Sequence, residues 1–381
     1  MTGFTFNTTP SIVFGAGSIG RIGEIASRSG RRAALVTDAG LVRAGLVSPA
    51  LAALEAAGIA VTVFDAVVAD PPEAVVEAAA RAVRDFGAEV VIGLGGGSSL
   101  DVAKLVALLA RSDEALGSIY GVGVARGPRL PLIAVPTTAG TGSEVTPIAI
   151  VTTGAHEKKG VVSPVIIPDV ALLDPDLTLG LPAPVTAATG VDAMVHAIEA
   201  YTSLSANNNP ISKALAREAL RLIGRNIRQA VHHGQDRDAR AAMLLGSLLA
   251  GQAFANAPVA AVHALAYPIG GHFGVPHGLS NALVLPEVLR FNAPACSDLY
   301  AEIAADAFPE LEGRASAEAF IESVVALSRD IGLEPRLRDV GIPADAVAIM
   351  AEDAMRQTRL LVNNPRPVTL ADARAIYEAA W

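Results

Sequence analysis

From Ala241 to Pro286 the chain carries no Asp, Glu, Lys or Arg, a run of 46 residues. So long an absence of charge marks either a membrane span or a buried segment. A spanning helix needs about 20 consecutive apolar residues. Gln252, Asn256, Pro258, His263, Pro268, His272 and several glycines interrupt this run. The stretch therefore reads as the buried heart of a helical domain. His263, His272 and His277 lie within it, and a buried imidazole needs partners to offset its lost hydration. An interior polar site is expected.

The rest of the chain can supply such a core. Its 381 residues are enough for two domains, and 51% of them are hydrophobic against 18% charged. Asp plus Glu number 38 against 29 Lys plus Arg, a net charge of −9. That balance argues against a nucleic-acid or anionic-membrane partner. The single cysteine, Cys296, excludes an internal disulfide framework and fits a reducing compartment. The start, Met1-Thr2-Gly3-Phe4-Thr5-Phe6, has neither a basic n-region nor an apolar h-region. The expectation is a cytoplasmic protein without an export signal.

The first 180 or so residues alternate β-branched runs with helical patterns. Strands are expected at Ala33–Thr37, Val61–Phe64, Val90–Leu94 and Leu132–Pro136, with helices such as Pro49–Ala57 and Pro72–Phe86 between them. Alternation of this kind implies a parallel sheet covered by helices on both faces, with ligands at the carboxyl ends of the strands. From Pro184 strand signals nearly vanish. Val185–Ser203, Ile211–Val231, Asp236–Ala255, Ala315–Ile331 and Leu370–Ala380 read as helices. The expected architecture is an α/β dinucleotide-binding domain over residues 1–182, with a Rossmann-like parallel sheet, followed by an all-α metal-binding domain over 183–381.

Two glycine-rich loops compete for a phosphate. Gly95-Gly96-Gly97-Ser98-Ser99 follows the strand Val90–Leu94 and precedes a helical start at Leu100-Asp101. Glycines let backbone approach a pyrophosphate, and a helix N-terminus receives its charge. Gly15-Ala16-Gly17-Ser18-Ile19-Gly20 is a literal G-x-G-x-x-G, with Asp38 placed where a ribose-binding acid belongs. Residue types alone leave that contest open. A third cluster, Pro136 to Glu144, sets the hydroxyls of Thr137, Thr138, Thr141 and Ser143 after a strand, as suits a ligand-facing loop.

Asp192 and His196 stand four residues apart, on one face of a helix. Both can point at one ion, or the two can form a simple ion pair. His263, His272 and His277 need partners, and shared coordination of a metal supplies them. One acid with two or three imidazoles suits Fe(II) or Zn(II).

Taken together, GGGSSLDVAK at 95–104, PTTAGTGSEVTP at 136–147 and ATGVDAMVHAIEAYTS at 188–203 resemble the iron-containing alcohol dehydrogenases. GQAFANA at 251–257, VHALAYPIGGHFGVPHGLSNALVLP at 262–286 and NNPRPVTLADARAIYEAAW at 363–381 fit the same pattern. The resemblance spans essentially the whole chain. It implies metal ligands at Asp192, His196, His263 and His277. It places the pyrophosphate at Gly95, Gly96, Gly97 and Ser98, which decides the contest against Gly15–Gly20. It matches Asp38 to the acid on the adenosine ribose, and so implies NAD rather than NADP, because a carboxylate repels a 2′-phosphate. It puts Asp101, Thr138, Thr141, Ser143 and Lys158 among the cofactor-side residues. It further implies a homodimer or larger oligomer and an active site in the cleft between the two domains.

Two positions depart from the pattern. Many members have a second, proton-relaying histidine where this chain has Tyr267. Many have Pro-Asn-Pro where this chain has Ala69-Asp70-Pro71, so a cofactor-contacting amide becomes a carboxylate. Tyr267 is then the candidate relay, although a free phenol, with a pKa near about 10, is a poor base at neutral pH. The expected chemistry is hydride transfer between a nicotinamide and an alcohol, aldehyde or ketone, aided by a metal that binds the substrate oxygen. A tyrosine at this position also occurs in a branch resembling hydroxyacid–oxoacid transhydrogenases, which would use hydroxy and oxo acids. A lyase resembling dehydroquinate synthase is a further alternative on the same two-domain plan. His272 matches no ligand position, and His232 and His233 flank a polar loop.

Overall fold

The computed structural model describes residues 3–154 and 157–381. Met1 and Thr2, on which part of the export-signal reading falls, lie outside the described residues. Residues Asn7–Thr138 and Gly142–Leu179 form one compact unit, and Gly180–Trp381 with residues 139–141 and 3–6 form the other.

The first unit contains strands β1 (Ser11–Phe14), β2 (Arg32–Val36), β3 (Ala60–Phe64), β4 (Val90–Gly95), β5 (Gly121–Val122), β6 (Leu132–Pro136), β7 (Ile148–Thr153), β8 (Glu157–Val162) and β9 (Val170–Leu173). Its helices are α1 (Ile22–Ser27), α2 (Ala39–Arg43), α3 (Ser48–Ala56), α4 (Glu73–Phe86) and α5 (Gly97–Leu109). Six strands form one sheet in the order β1-β9-β6-β4-β2-β3, every neighbouring pair parallel. The parallel sheet predicted from the alternating pattern is present. Side chains alternate between its faces, as the period of a strand requires. Ala33, Leu35, Val90, Ile92 and Leu94 pack with Ile22, Ala26, Ala50 and Leu54 of α1 and α3. Ala34, Val36 and Val91 pack with Val76, Ala79, Val83, Val102 and Val106 of α4 and α5. Burial on both faces explains why β4 reads as a continuous apolar run. A second sheet of three strands, β5-β8-β7, was not anticipated; β7 pairs antiparallel with β8.

From β2 the chain crosses outward to β3, returns to β4 on the other side of β2, and continues to β6. The direction of winding reverses between β2 and β4. Ligands of doubly wound sheets bind outside the carboxyl ends of strands at such a reversal. Asp38 follows β2, and Gly95 ends β4 with Gly96, Gly97 and Ser98 after it, so these two segments flank that point.

The second unit is helical: α6 (Ala183–Thr202), α7 (Pro210–His232), α8 (Arg237–Asn256), α9 (Ala261–Phe273), α10 (His277–Ala307), α11 (Ala317–Asp330), α12 (Ala346–Ala354), α13 (Thr358–Leu361) and α14 (Leu370–Ala380). The uncharged run forms most of α8, all of α9 and the start of α10, and most of it is buried. No single described helix is long and apolar enough to cross a membrane; α8 and α9 satisfy that test only as a pair, bent by 106°. α10 departs from helical geometry at Cys296, two residues after the internal Pro294, which removes a backbone donor and crowds the preceding turn. Gly278 matters for the site. A Cβ there would stand 2.4 Å from the carbonyl oxygen of Ala188, so only glycine lets the first turn of α10 lie against α6.

Candidate metal centre and nucleotide loop

On α6 the ionisable residues are Asp192, His196, Glu199 and Tyr201. The first three recur at helical spacing and form one buried polar stripe on an otherwise apolar helix. Among the described residues, Asp192, His196 and His263 offer ligand atoms that all lie within 4.8 Å of one another. His277, the first residue of α10, places Nε2 3.7 Å from Asp192 Oδ1 and remains one-third exposed. Its ring centroid is 5.4 Å from that of His263. Tyr267, one turn after His263 on α9, lies 5.9 Å from the His277 ring.

The partners of the two buried imidazoles assign their tautomers. His196 Nδ1–H donates to the Gly140 carbonyl at 3.2 Å, and His263 Nδ1–H donates to Glu199 at 2.7 Å. With Nδ1 engaged in this way, the neutral form of each ring turns a lone pair outward at Nε2. Those two Nε2 atoms face each other at 3.0 Å. Burial, then the neighbouring His263 and His277, hold His196 well below the usual histidine pKa. A cation bound at about 2.1 Å from each nitrogen would fit, since two such ligands stand about 3–3.4 Å apart. Asp192 adds the negative charge. Burial pushes its carboxyl up to about 6, against the lowering influence of His263 and Asn281, and a metal ion would reverse that cost of burial. The donor set fits a divalent ion.

Residue types alone did not point to four neighbours of this cluster. Glu199 stands behind His263, its Oε2 2.7 Å from the ring Nδ1. Asn281 Nδ2 donates to Asp192 Oδ1 at 2.6 Å and lies 3.4 and 3.3 Å from the Nε2 atoms of His263 and His277, while its Oδ1 is buried without a partner. Phe254 stacks on His196, centroids 4.2 Å apart and 15° from parallel. Gly140 contributes only a carbonyl. The available signal was periodicity: Glu199 is seven residues after Asp192, and Asn281 is four after His277. His272 is engaged elsewhere, with Asp353 of α12 at 2.5 Å.

In the sheet unit, Gly95 has φ +155° and a Cβ would fall 2.6 Å from Ser99 Cβ, so the turn into α5 requires glycine. Gly96 caps α5 with no side-chain hydrogen bond to its first turn. The backbone donors of Gly97, Ser98 and neighbouring residues at such a helix start suit an anion. The rival loop differs. Gly17 N–H and Ile19 N–H each donate to the buried Asp174 carboxylate at 3.0 Å, so a side chain of the protein already takes the place of an anion there. Asp38 caps α2, one oxygen accepting from Gly40 and Leu41.

The remaining cofactor-side candidates are tied to the chain itself. Asp101 accepts from Ser143 Oγ at 2.6 Å and from Ile150 N at 2.9 Å, bracing the segment that carries Ser143. Lys104, fully buried on α5, donates to Thr146 and to the Ile148 carbonyl. Thr138 is the side chain that a Cβ on Gly96 would meet, at 3.5 Å. Thr141 belongs to the short 139–141 segment grouped with the helical unit. Lys158 pairs with Asp70 at 2.6 Å, and Asp70 holds a left-handed φ of 49°, a conformation that Asp and Asn tolerate better than most residues.

Known proteins resemble this chain along nearly all of its length. Residues 9–175 match the profile described as iron-containing alcohol dehydrogenase, and residues 186–381 match the C-terminal part of the Fe-containing alcohol dehydrogenase family. Long-chain-alcohol dehydrogenase 1 of Geobacillus thermodenitrificans is 43% identical, the match covering 94% of this chain and 91% of that protein. A crystal structure of 1,3-propanediol oxidoreductase superposes with a TM-score of 0.96 at 38% identity, covering 100% of both chains. The sulfoacetaldehyde reductase of Bifidobacterium kashiwanohense in complex with NAD+ superposes at 0.90 with 30% identity, covering 100% of this chain and 99% of that one. This chain belongs to the iron-containing alcohol dehydrogenase family.

Proposed function

We propose that this protein is an NAD-linked, divalent-metal-dependent oxidoreductase that interconverts a small alcohol and its aldehyde. The observation that carries the reading is the pair of imidazole Nε2 atoms, 3.0 Å apart beside the buried Asp192. Asp192, His196, His263 and His277 would hold the ion, Fe(II) or Zn(II). When bound, the ion supplies Lewis acidity at the substrate oxygen. A bound nicotinamide supplies the hydride acceptor or donor. Gly95, Gly96, Gly97 and Ser98 receive the pyrophosphate at the start of α5. Asp38 accepts from the ribose hydroxyls and repels a 2′-phosphate, which favours NAD; the NAD+ complex of the sulfoacetaldehyde reductase supports that choice. Asp101 holds the Ser143 segment in place, and Thr138, Thr141 and Ser143 line the nicotinamide half. Lys158 faces the cofactor with its charge balanced by Asp70. The functional halves divide at 182/183, the second carrying every metal ligand, and the protein works in the cytoplasm as a homodimer or larger homo-oligomer.

Tyr267 is assigned the movement of a proton near His277. Its phenyl ring sits one turn from one ligand and beside another, and Tyr267→Phe is expected to lower kcat by about 10²-fold in the pH range where the hydroxyl acts. Unchanged activity across pH would reject the relay. The function itself is tested by preparing the protein anaerobically, loading Fe(II) or Zn(II), and following NADH formation with a panel of primary alcohols. Metal-dependent turnover is expected. Turnover only when a hydroxy acid and an oxo acid are supplied together, without free cofactor, would replace this reading with a transhydrogenase.

A further inference from the structure

We propose that Glu199 is a positioning residue of the metal centre, selecting the tautomer of His263 that can bind a cation. The inference rests on the metal reading above and deepens it. Glu199 is buried, 4% exposed, and both of its oxygens are used. Oε2 accepts from His263 Nδ1–H at 2.7 Å, and Oε1 accepts from the backbone N–H of Val262 at 2.7 Å. Val262 lies in the first turn of α9, whose N-terminus has no side-chain cap of its own. One carboxylate from α6 therefore fixes both the start of the helix that carries His263 and the ring on that helix. A negative charge suits a helix N-terminus, and a carboxylate behind a ligating imidazole raises its basicity.

The arrangement is specific to a carboxylate. It accepts two hydrogen bonds on two oxygens, whereas an amide accepts on one atom only. In Glu199→Gln, the amide oxygen can keep Val262 N–H, which turns the amide N–H toward His263 Nδ1. His263 then carries its proton on Nε2, the atom that faces His196, and the lone pair needed by a cation is lost. The alternative amide orientation leaves Val262 N–H opposed by a donor.

The test uses Co(II) as an optically visible probe on the full-length apo protein, with affinity read by competition against a chelator. Glu199→Gln is expected to weaken Co(II) binding by about 10- to 100-fold, the usual range for such outer partners. Its effect must vanish in a His263→Ala background, where no ring remains to orient. Affinity within about twofold of wild type, or an equal loss in both backgrounds, overturns the proposal; the second result assigns Glu199 a structural role only. Should the variant not fold, histidine nitrogen NMR of the wild-type apo protein decides. A proton on His263 Nδ1 supports the proposal and a proton on Nε2 overturns it. The two readings fail separately. Wild type that binds no divalent ion removes the metal reading and this proposal together, whereas tight binding by wild type and Glu199→Gln alike removes only this one.

Discussion

Asp38 and Glu144 show how single side chains report on different properties of this protein. Asp38 stands after β2, beside the point where the sheet reverses its winding, and spends one oxygen on the start of α2. With NAD as cofactor, Asp38→Ser should lower the ratio of kcat/KM for NAD over NADP by at least about tenfold, the order of one relieved like-charge contact near a surface. An unchanged ratio would remove Asp38 from the cofactor site. Glu144 is a buried carboxyl whose Oε1 has no partner. Burial pushes it up to about 7 from 4.5. A raised carboxyl adds stability that is complete below about 4.5 and lost as pH climbs through about 7, roughly 3 kcal/mol in all. Lys104, lowered by burial to about 8, keeps most of its charge over that window. The difference in Tm between wild type and Glu144→Gln should therefore shift against wild type from pH 4.5 to 7 and level off above; a flat difference would contradict the assignment. Glu144 was visible in the sequence only as part of a polar loop. Its burial comes from tertiary packing, which no local pattern records.

At the scale of elements, helical periodicity made half of the centre legible. Four-residue spacing puts Asp192 and His196 on one face of α6, and the uncharged run showed that His263 and His277 would need buried partners. That α9 and α10 bring His263 and His277 toward the same face of α6 depends on close packing, which spacing does not encode. Gly278 is the contact that permits it. Gly278→Ala would set a methyl group 2.4 Å from the Ala188 carbonyl, forcing α10 away from α6 at a cost of about 1–3 kcal/mol. We expect weaker Co(II) binding than wild type together with a lower Tm, measured on the same preparation; a loss of Tm with unchanged affinity would show that the α6–α10 contact does not position His277. Among strands the result was uneven. β4 and β6 read clearly because burial on both faces gives continuous apolar runs, whereas the short β9, also buried, was not anticipated. β8, Glu157-Lys158-Lys159-Gly160-Val161-Val162, gave no such signal, because it opens with charges and is only half-buried.

For the whole molecule, the fold class and the family could be read from the sequence because their motifs recur along nearly all of the chain. The glycine loops show what motif spelling alone cannot decide. Gly15–Gly20 satisfies a dinucleotide pattern, yet Asp174 already occupies its backbone donors, and β1 lies at the edge of the sheet. The proposed chemistry needs one cation shared by residues from α6, α9 and α10. The most direct measurement is anomalous diffraction at the iron absorption edge, from crystals grown anaerobically after Fe(II) loading. A single strong peak within bonding distance of Asp192, His196, His263 and His277 is predicted. A loaded, active protein with no peak among those four side chains, or with its iron elsewhere, would contradict the account.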